Sequence, residues 1–277
     1  MSQELFEHIV DTCLSELPHI DTITISGFGE FSTDPAWREK ISHAESRFDQ
    51  INILTNMSLL SFEDIDFLRS RVQTVRISIY GSDEKTYSSI HRQPKNVSYS
   101  DIRERVMYLC KAEKRRPRVI LNFLLLDQNK AALEQWKAEW KDLADVVEIW
   151  KPHNWISGRQ YRTVCSHRVE SCGRPFNGPI QVQVDGTVNV CCFDYNGELI
   201  IGDLRRQRFQ EIFSSQEMIE VQKKHAAGKA DTINQCRMCD QRNCNRCKQN
   251  NMVYSSTFST HERIKKTSTI YEALDNI

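Results

Sequence analysis

The chain has 277 residues, with 37 Lys+Arg against 37 Asp+Glu. A formal net charge of zero gives no global field to draw in nucleic acid or an anionic membrane, and no apolar run approaches the roughly 18 residues that cross a bilayer. The length suffices for a sizeable core, as one large domain or as one large and one small.

The start does not read as a signal peptide, so a cytoplasmic location is expected, with no nucleic-acid and no membrane partner. In that compartment clustered cysteines act as ligands or redox groups more often than as disulfides. Residues 2–17 form an amphipathic helix with Ser2 as its cap. Residues 22–26 form a strand that runs into Gly27, Phe28, Gly29 and Glu30. Asp34 caps a helix that reaches about residue 45, with Pro35 at its first position. A strand at 50–54 ends in Thr55-Asn56. Ser61 opens a helix with Phe62, Ile65 and Leu68 on one face. The strand at 74–80 ends in Gly81. Asp83 caps a short helix to about 91, and Ser98 or Ser100 opens another to about 114. Residues 118–125 are a nearly unbroken apolar strand, as buried parallel strands are. A helix at 129–143 and a strand at 146–150 complete the series. Strand and helix alternate five times, which implies a parallel sheet with crossover helices, open or closed into a barrel. Both architectures place ligands at the carboxyl ends of the strands.

The second half is organised by cysteine. Seven of the ten lie between Cys172 and Cys247. Residues 179–190 read as a hairpin around Asp185-Gly186, with Val182, Val184, Val188 and Val190 at period two. A helical stretch at 209–225 follows. Thirteen residues separate Cys172 from Gly186, four separate Gly186 from Cys191, forty-four separate Cys191 from Cys236, and two separate Cys236 from Cys239. Thiolates so spaced suit zinc or an iron–sulfur cluster, and the spacing leaves both open. Cys236, Cys239, Cys244 and Cys247 alone suffice for a four-thiolate zinc site. Cys192 would alternate to the other side of the strand from Cys191. Cys13 and Cys110 read as small buried hydrophobes, and His43, His167 and His225 as structural. Lys151 to Trp155 reads as either a substrate-facing loop or a surface linker, and the tail from 248 as loosely ordered.

These motifs resemble the radical S-adenosylmethionine (SAM) superfamily with a C-terminal SPASM or Twitch domain. Cys-x13-Gly-x4-Cys with a late Cys-x2-Cys is the pattern of that domain. Ser26-Gly27-Phe28-Gly29-Glu30 looks like the family's Gly-Gly-Glu motif, with Phe31 where Pro is usual. Thr55-Asn56-Met57 is similar to its Thr-Asn-Gly strand end, with Met57 in place of Gly. Ile77-Ser78-Ile79 looks like its Ser-bearing third strand, Ile90-His91-Arg92 matches the Ile-Arg that often follows, and Asn122 lies on the strand that faces the nucleoside. The resemblance implies a partial (β/α)6 barrel lacking its first strand over 1–155, a small α+β iron–sulfur domain over 156–247 and a tail over 248–277. It implies SAM bound at Gly27, Phe28, Gly29, Glu30, Asn56, Ser78 and Asn122. It also implies one auxiliary [4Fe–4S] cluster on Cys172, Cys191, Cys236 and Cys239; it leaves the part of Cys192, Cys244 and Cys247 open, and Cys165 could replace a ligand. The complete form would generate a 5′-deoxyadenosyl radical and abstract hydrogen from a peptide or sugar substrate, with a flavodoxin- or ferredoxin-type electron donor. The family's Cys-x3-Cys-x2-Cys does not occur in these residues. The expectation is therefore a chain cut short before Met1, or else a natural remnant, that does not cleave SAM as it stands. The competing class is a non-enzymatic α/β binding protein with a structural zinc module.

Overall fold

The computed structural model describes residues 1–277 apart from 18, 28, 155, 157–160, 162–163, 165, 244–251 and 257–277, and gives the backbone alone at 252–254. In chain order the main elements are α1 (Gln3–Glu16), β1 (Thr22–Ile25), α2 (Trp37–Glu45), β2 (Gln50–Thr55), α3 (Phe62–Arg71), β3 (Thr74–Ser78), α4 (Glu84–Ser88), α5 (Tyr99–Cys110), β4 (Arg118–Leu124), α6 (Leu133–Trp140) and β5 (Val146–Trp150). Then come α7 (Arg174–Asn177), β6 (Gln181–Val182), β7 (Thr187–Asn189), β8 (Ile200–Asp203), α8 (Phe209–Phe213), α9 (Gln216–Ala226), α10 (Asn234–Arg237) and β9 (Met252–Ser255). Two compact units divide the chain: residues 21–152 with 249–277, and residues 1–20 with 153–248.

The first unit is a sheet in the order β1-β2-β3-β4-β5-β9, with β1 to β5 all parallel. Ser61 and Ser98 each close a capping box with the Asp three residues on, Asp64 and Asp101, which fixes where α3 and α5 begin. Ile51, Ile53, Val75, Ile77, Val119, Leu121 and Phe123 are buried at every second strand position. The Phe123 ring lies 5.1 Å from that of Trp136 on α6. Alternation turns Asn52, Leu54, Arg76, Ser78 and Asn122 to the opposite face, where burial is lower. That second face and the strand ends carry the unit's polar groups. The mixed α/β build, with five parallel strands, is that of a partial barrel joined to a small C-terminal domain.

The second unit is built on a three-stranded antiparallel sheet, β6-β7-β8. The Asp185-Gly186 turn forms as expected, with Gly186 at φ 89°. The hairpin is shorter than the valine pattern suggests. β6 ends at Val182, and Val184 stands 73% exposed on the turn. β8 has no signal in the hydrophobic pattern. Its Gly202 is needed because an added Cβ would lie 2.5 Å from Ile212 Cγ1 of α8. The helical stretch is two helices, broken where Ser215 caps α9 by accepting the Met218 N–H.

Two assignments of chain to domain differ from the expectation. α1 is not part of the sheet unit: Ile9 and Cys13 are buried in one cluster with Val188, Ile201, Leu204, Ile212 and Met218. An amphipathic helix shows which face it buries and not against what. The tail is not wholly loose, because β9 pairs antiparallel with β5 and the Val147 N–H donates to Ser256 Oγ at 3.0 Å. Among the described residues no helix is long and apolar enough to cross a membrane.

Candidate functional site

At the carboxyl ends of β1 and β2 the side chain of Glu30 is held by three donors. Thr55 Oγ1 donates at 2.6 Å and Ser32 Oγ at 3.1 Å to one oxygen, and the Asn56 N–H donates at 2.7 Å to the other. Asn56 Oδ1 in turn accepts the Ser58 N–H at 2.9 Å. Gly27 and Gly29 border open space. A Cβ on Gly29 would meet nothing within 4 Å, and one on Gly27 would meet only the Gly29 nitrogen at 3.9 Å. The strand-end loop therefore leaves its backbone approachable by a ligand, as the SAM expectation needs. Phe28 lies outside the described residues. Phe31, where the family pattern has Pro, is buried with its ring edge-on to Trp37 at 5.3 Å.

Met57, which stands where the family pattern has Gly, takes a backbone conformation that favours glycine. It sits at φ 63° and is fully buried. Its N–H donates to Thr55 Oγ1, and Arg105 Nη1 donates to the Met57 and Ser58 carbonyls at 3.1 and 2.9 Å. Met57→Gly would relieve roughly 1 kcal/mol of left-handed strain and forfeit about 2–5 kcal/mol of burial. The burial term is larger, so urea unfolding should show a net loss of about 1–4 kcal/mol. A stabilised variant would mean that strain governs this corner.

Ser78 and Asn122 are register partners on β3 and β4, and Asn122 pairs with Glu148 on β5. Tyr80 donates its hydroxyl to Ser78 Oγ at 3.0 Å. Asn122 Oδ1 accepts from Arg76 Nη1 at 2.9 Å, and the same nitrogen pairs with Glu148. Trp150 Nε1 also donates to Glu148, at 2.9 Å. The sheet thus gathers Ser78 and Asn122 in one row, with Asn122 partly engaged by an ion pair that the sequence did not reveal.

In the other unit, Cys172, Cys191, Cys236 and Cys239 come from three segments and line one apolar pocket, and all four thiols are free of disulfides. Cys172 precedes Gly173, whose φ of 80° turns the chain into α7. Cys191 follows β7 in a turn held by Asn189 Nδ2, which donates to the Cys191 and Asp194 carbonyls. Cys236 lies on α10, and the Cys239 N–H bonds the Cys236 carbonyl at 3.3 Å. Arg168 holds this Cys-x2-Cys loop. Its guanidinium donates to the carbonyls of Cys236 (3.1 Å), Arg237 and Cys239, and to Asp231 Oδ1 at 2.6 Å. Arg242 shares Asp231 at 2.7 Å and donates to the Val169 carbonyl.

Burial pushes the Cys236 thiol up to about 12 and the Cys239 thiol up to about 11. These thiols stay protonated until a cation compensates them, so a metal entering the pocket must displace protons. The donor set, soft sulfur from three segments on an apolar wall, fits an iron–sulfur group. Among the described residues no three or more His, Cys, Asp or Glu side chains are arranged as a single-ion site.

Cys192 does not turn away from Cys191. β7 ends at Asn189, and strand alternation ends with it. The neighbouring Cys192 thiol raises Cys191, and the neighbouring Cys191 thiol lowers Cys192, which is also near Arg174. Cys165, Cys244 and Cys247 lie outside the described residues. Arg168 and Arg242 stand singly in sequence with no spacing to mark them, and His225, expected to be structural, likewise has no spaced partner in the sequence. His225 is 1% exposed, and its Nε2 lies 3.6 Å from Cys236 Sγ.

Residues 172–240 match the family model SPASM, described as an iron-sulfur cluster-binding domain. No curated protein sequence matches the chain. Solved structures similar to it include BtrN in complex with AdoMet and 2-DOIA, at 15% identity and TM-score 0.59, covering 92% of this chain and 85% of that one. Native anSMEcpe with bound AdoMet and Cp18Cys peptide matches at 12% identity and TM-score 0.63, over 100% and 89%. SuiB of Streptococcus suis bound to precursor peptide SuiA matches at 12% and TM-score 0.60, over 86% and 62%. At such identities the likeness is one of fold.

Proposed function

We propose that this chain, which carries a SPASM domain and has the fold of radical SAM SPASM enzymes, is an iron–sulfur protein that binds SAM and serves a peptide substrate. The observation that carries the reading is the set of four free thiols, from three segments, around one apolar pocket inside the residues that match the cluster-binding model. Cys172, Cys191, Cys236 and Cys239 would hold a single [4Fe–4S] cluster. Such a cluster, when bound, supplies one-electron transfer, with a flavodoxin- or ferredoxin-type protein as donor. Arg168 and Arg242 put two cations beside the thiolates and lower the cost of their charge. On the sheet unit, Glu30 would receive the ammonium of SAM while Asn56 and Ser78 orient the rest. A peptide is preferred to a sugar because two of the similar structures hold peptides. The 277 residues contain no Cys-x3-Cys-x2-Cys, so reductive cleavage of SAM is not assigned to them.

Two measurements test this. Anaerobic reconstitution with iron and sulfide should yield about four of each per chain with visible sulfur-to-iron absorption. One zinc and no iron would replace this reading with the structural zinc module. Calorimetry should show SAM binding to the wild type. Glu30→Ala should weaken it about tenfold or more, since one charge-assisted hydrogen bond is worth about 1.5–3 kcal/mol. Unchanged affinity would remove Glu30 from the SAM site.

A further inference from the structure

We infer that His225 donates a hydrogen bond to the sulfur of Cys236 and thereby sets the reduction potential of the cluster that Cys236 helps to hold. The inference rests on the iron–sulfur reading above and adds a residue that neither the cysteine pattern nor the SAM motifs identify.

His225 sits in the last turn of α9 and is 1% exposed. Its ring spans two of the cysteine segments. Nε2 lies 3.6 Å from Cys236 Sγ, and Nδ1 lies 3.0 Å from the hydroxyl of Ser171, the residue before Cys172. Ser171 Oγ also accepts the Gly173 N–H at 3.1 Å. A thiolate bound to iron has lone pairs and no proton, so the hydrogen in the His225–Cys236 contact must come from the ring. A neutral imidazole has one N–H. With the proton on Nε2, Nδ1 must accept, and Ser171 must donate to it. The Gly173 N–H then occupies the acceptor side of the Ser171 oxygen. One directed chain results: Gly173 N–H to Ser171, Ser171 O–H to His225, His225 N–H to Cys236 sulfur. Each member fixes the orientation of the next, and the tautomer is set by the ligand at the end.

A cluster that takes up an electron spreads the added charge over its sulfurs. A donor aimed at one of them stabilises the reduced form more than the oxidised form and raises the potential. Burial strengthens the effect by keeping water from competing. The Phe193 N–H, 3.4 Å from Cys191 Sγ, is a second donor to a ligand sulfur, but it belongs to the backbone and side-chain substitution cannot remove it. Arg168 reaches the same loop through carbonyl oxygens and not through sulfur. His225 is therefore a positioning and tuning residue that acts through Cys236.

The test uses the full chain, reconstituted anaerobically with iron and sulfide, as wild type, His225→Phe, His225→Gln and Ser171→Ala. Iron and sulfide content come first, and then the midpoint potential and the EPR spectrum of the reduced cluster. His225→Phe should keep the wild-type iron content and shift the potential to a more negative value with altered g-values. His225→Gln, which retains an N–H donor, should recover much of the shift. Ser171→Ala should move the potential in the same direction by less. An unchanged potential in iron-replete His225→Phe overturns the inference, as does His225→Gln behaving like His225→Phe. Loss of iron from both histidine variants while Ser171→Ala keeps it, or a nitrogen bound directly to iron in pulsed EPR, makes His225 a ligand and also overturns it. A wild type that takes up zinc and no iron overturns the underlying reading together with the inference. Metal content thus judges the first, and the potential judges the second.

Discussion

Cys239→Ala is expected to fold and to come out of reconstitution colourless, with iron and sulfide near background. Cys239 is 7% exposed, and a buried cysteine without a metal packs as a small hydrophobe. Exchange for alanine removes one sulfur from the interior and costs on the order of 1 kcal/mol. The fold survives such a loss. The cluster does not, because the remaining thiols must each be deprotonated against burial and no longer complete the set. Cys13→Ala is the control. Cys13 is equally buried, in the apolar cluster of the same unit, so its replacement carries a similar packing cost and should leave iron uptake untouched. If Cys239→Ala retains full absorption, the proposed ligand set is wrong. Cys192→Ala belongs in the same series, because Cys192 adjoins Cys191 beyond the end of β7 and lines no opposite strand face. Loss of iron there with retention in Cys191→Ala would move the ligand role by one residue.

The second large effect is expected at Arg168. One guanidinium bonds the carbonyls of Cys236, Arg237 and Cys239 and the carboxylate of Asp231. The Arg168 side chain is 10% exposed and that of Asp231 is 54%, so the ion pair is screened on one side and the carbonyl bonds carry most of the value. Arg168→Ala leaves carbonyls of the Cys-x2-Cys loop unsatisfied and should destabilise the protein by about 2–3 kcal/mol in denaturant unfolding. It should also accelerate loss of iron to a chelator. Arg168→Lys should recover little, since an ammonium on a flexible stem cannot reproduce a planar fork across several acceptors. Full rescue by lysine would reduce the role of Arg168 to its charge.

The alternation of strand and helix was legible because period-two burial and capping serines are local signals. Ser61 and Ser98 announce α3 and α5, and the apolar run at 118–125 announces β4. The strand-end site was legible in part. Glu30 and Asn56 do meet, but through Thr55 Oγ1 and the Asn56 N–H, which no motif spells out. At Met57 a non-glycine residue takes a left-handed backbone: burial of the side chain and the two bonds from Arg105 hold that corner. Sequence reasoning failed where a partner is distant. β9 comes from a polar tail and is stabilised by an edge more than a hundred residues earlier. Arg168 and His225 carry no spacing, and their chemistry exists only once the cysteine segments close around them. Cys192 was misjudged because strand alternation was extended three residues past the end of β7.

Both compact units are discontinuous in sequence, and this has a consequence for synthesis on the ribosome. α1 emerges long before the residues that bury it, Val188 to Met218. The five parallel strands are complete by residue 150, yet the β5 edge stays uncapped until residue 252 has appeared. During that interval the nascent chain displays an amphipathic helix without its core and an open strand edge, the two surfaces on which chains aggregate. Translation rate and chaperone supply should therefore bear on the yield of this protein.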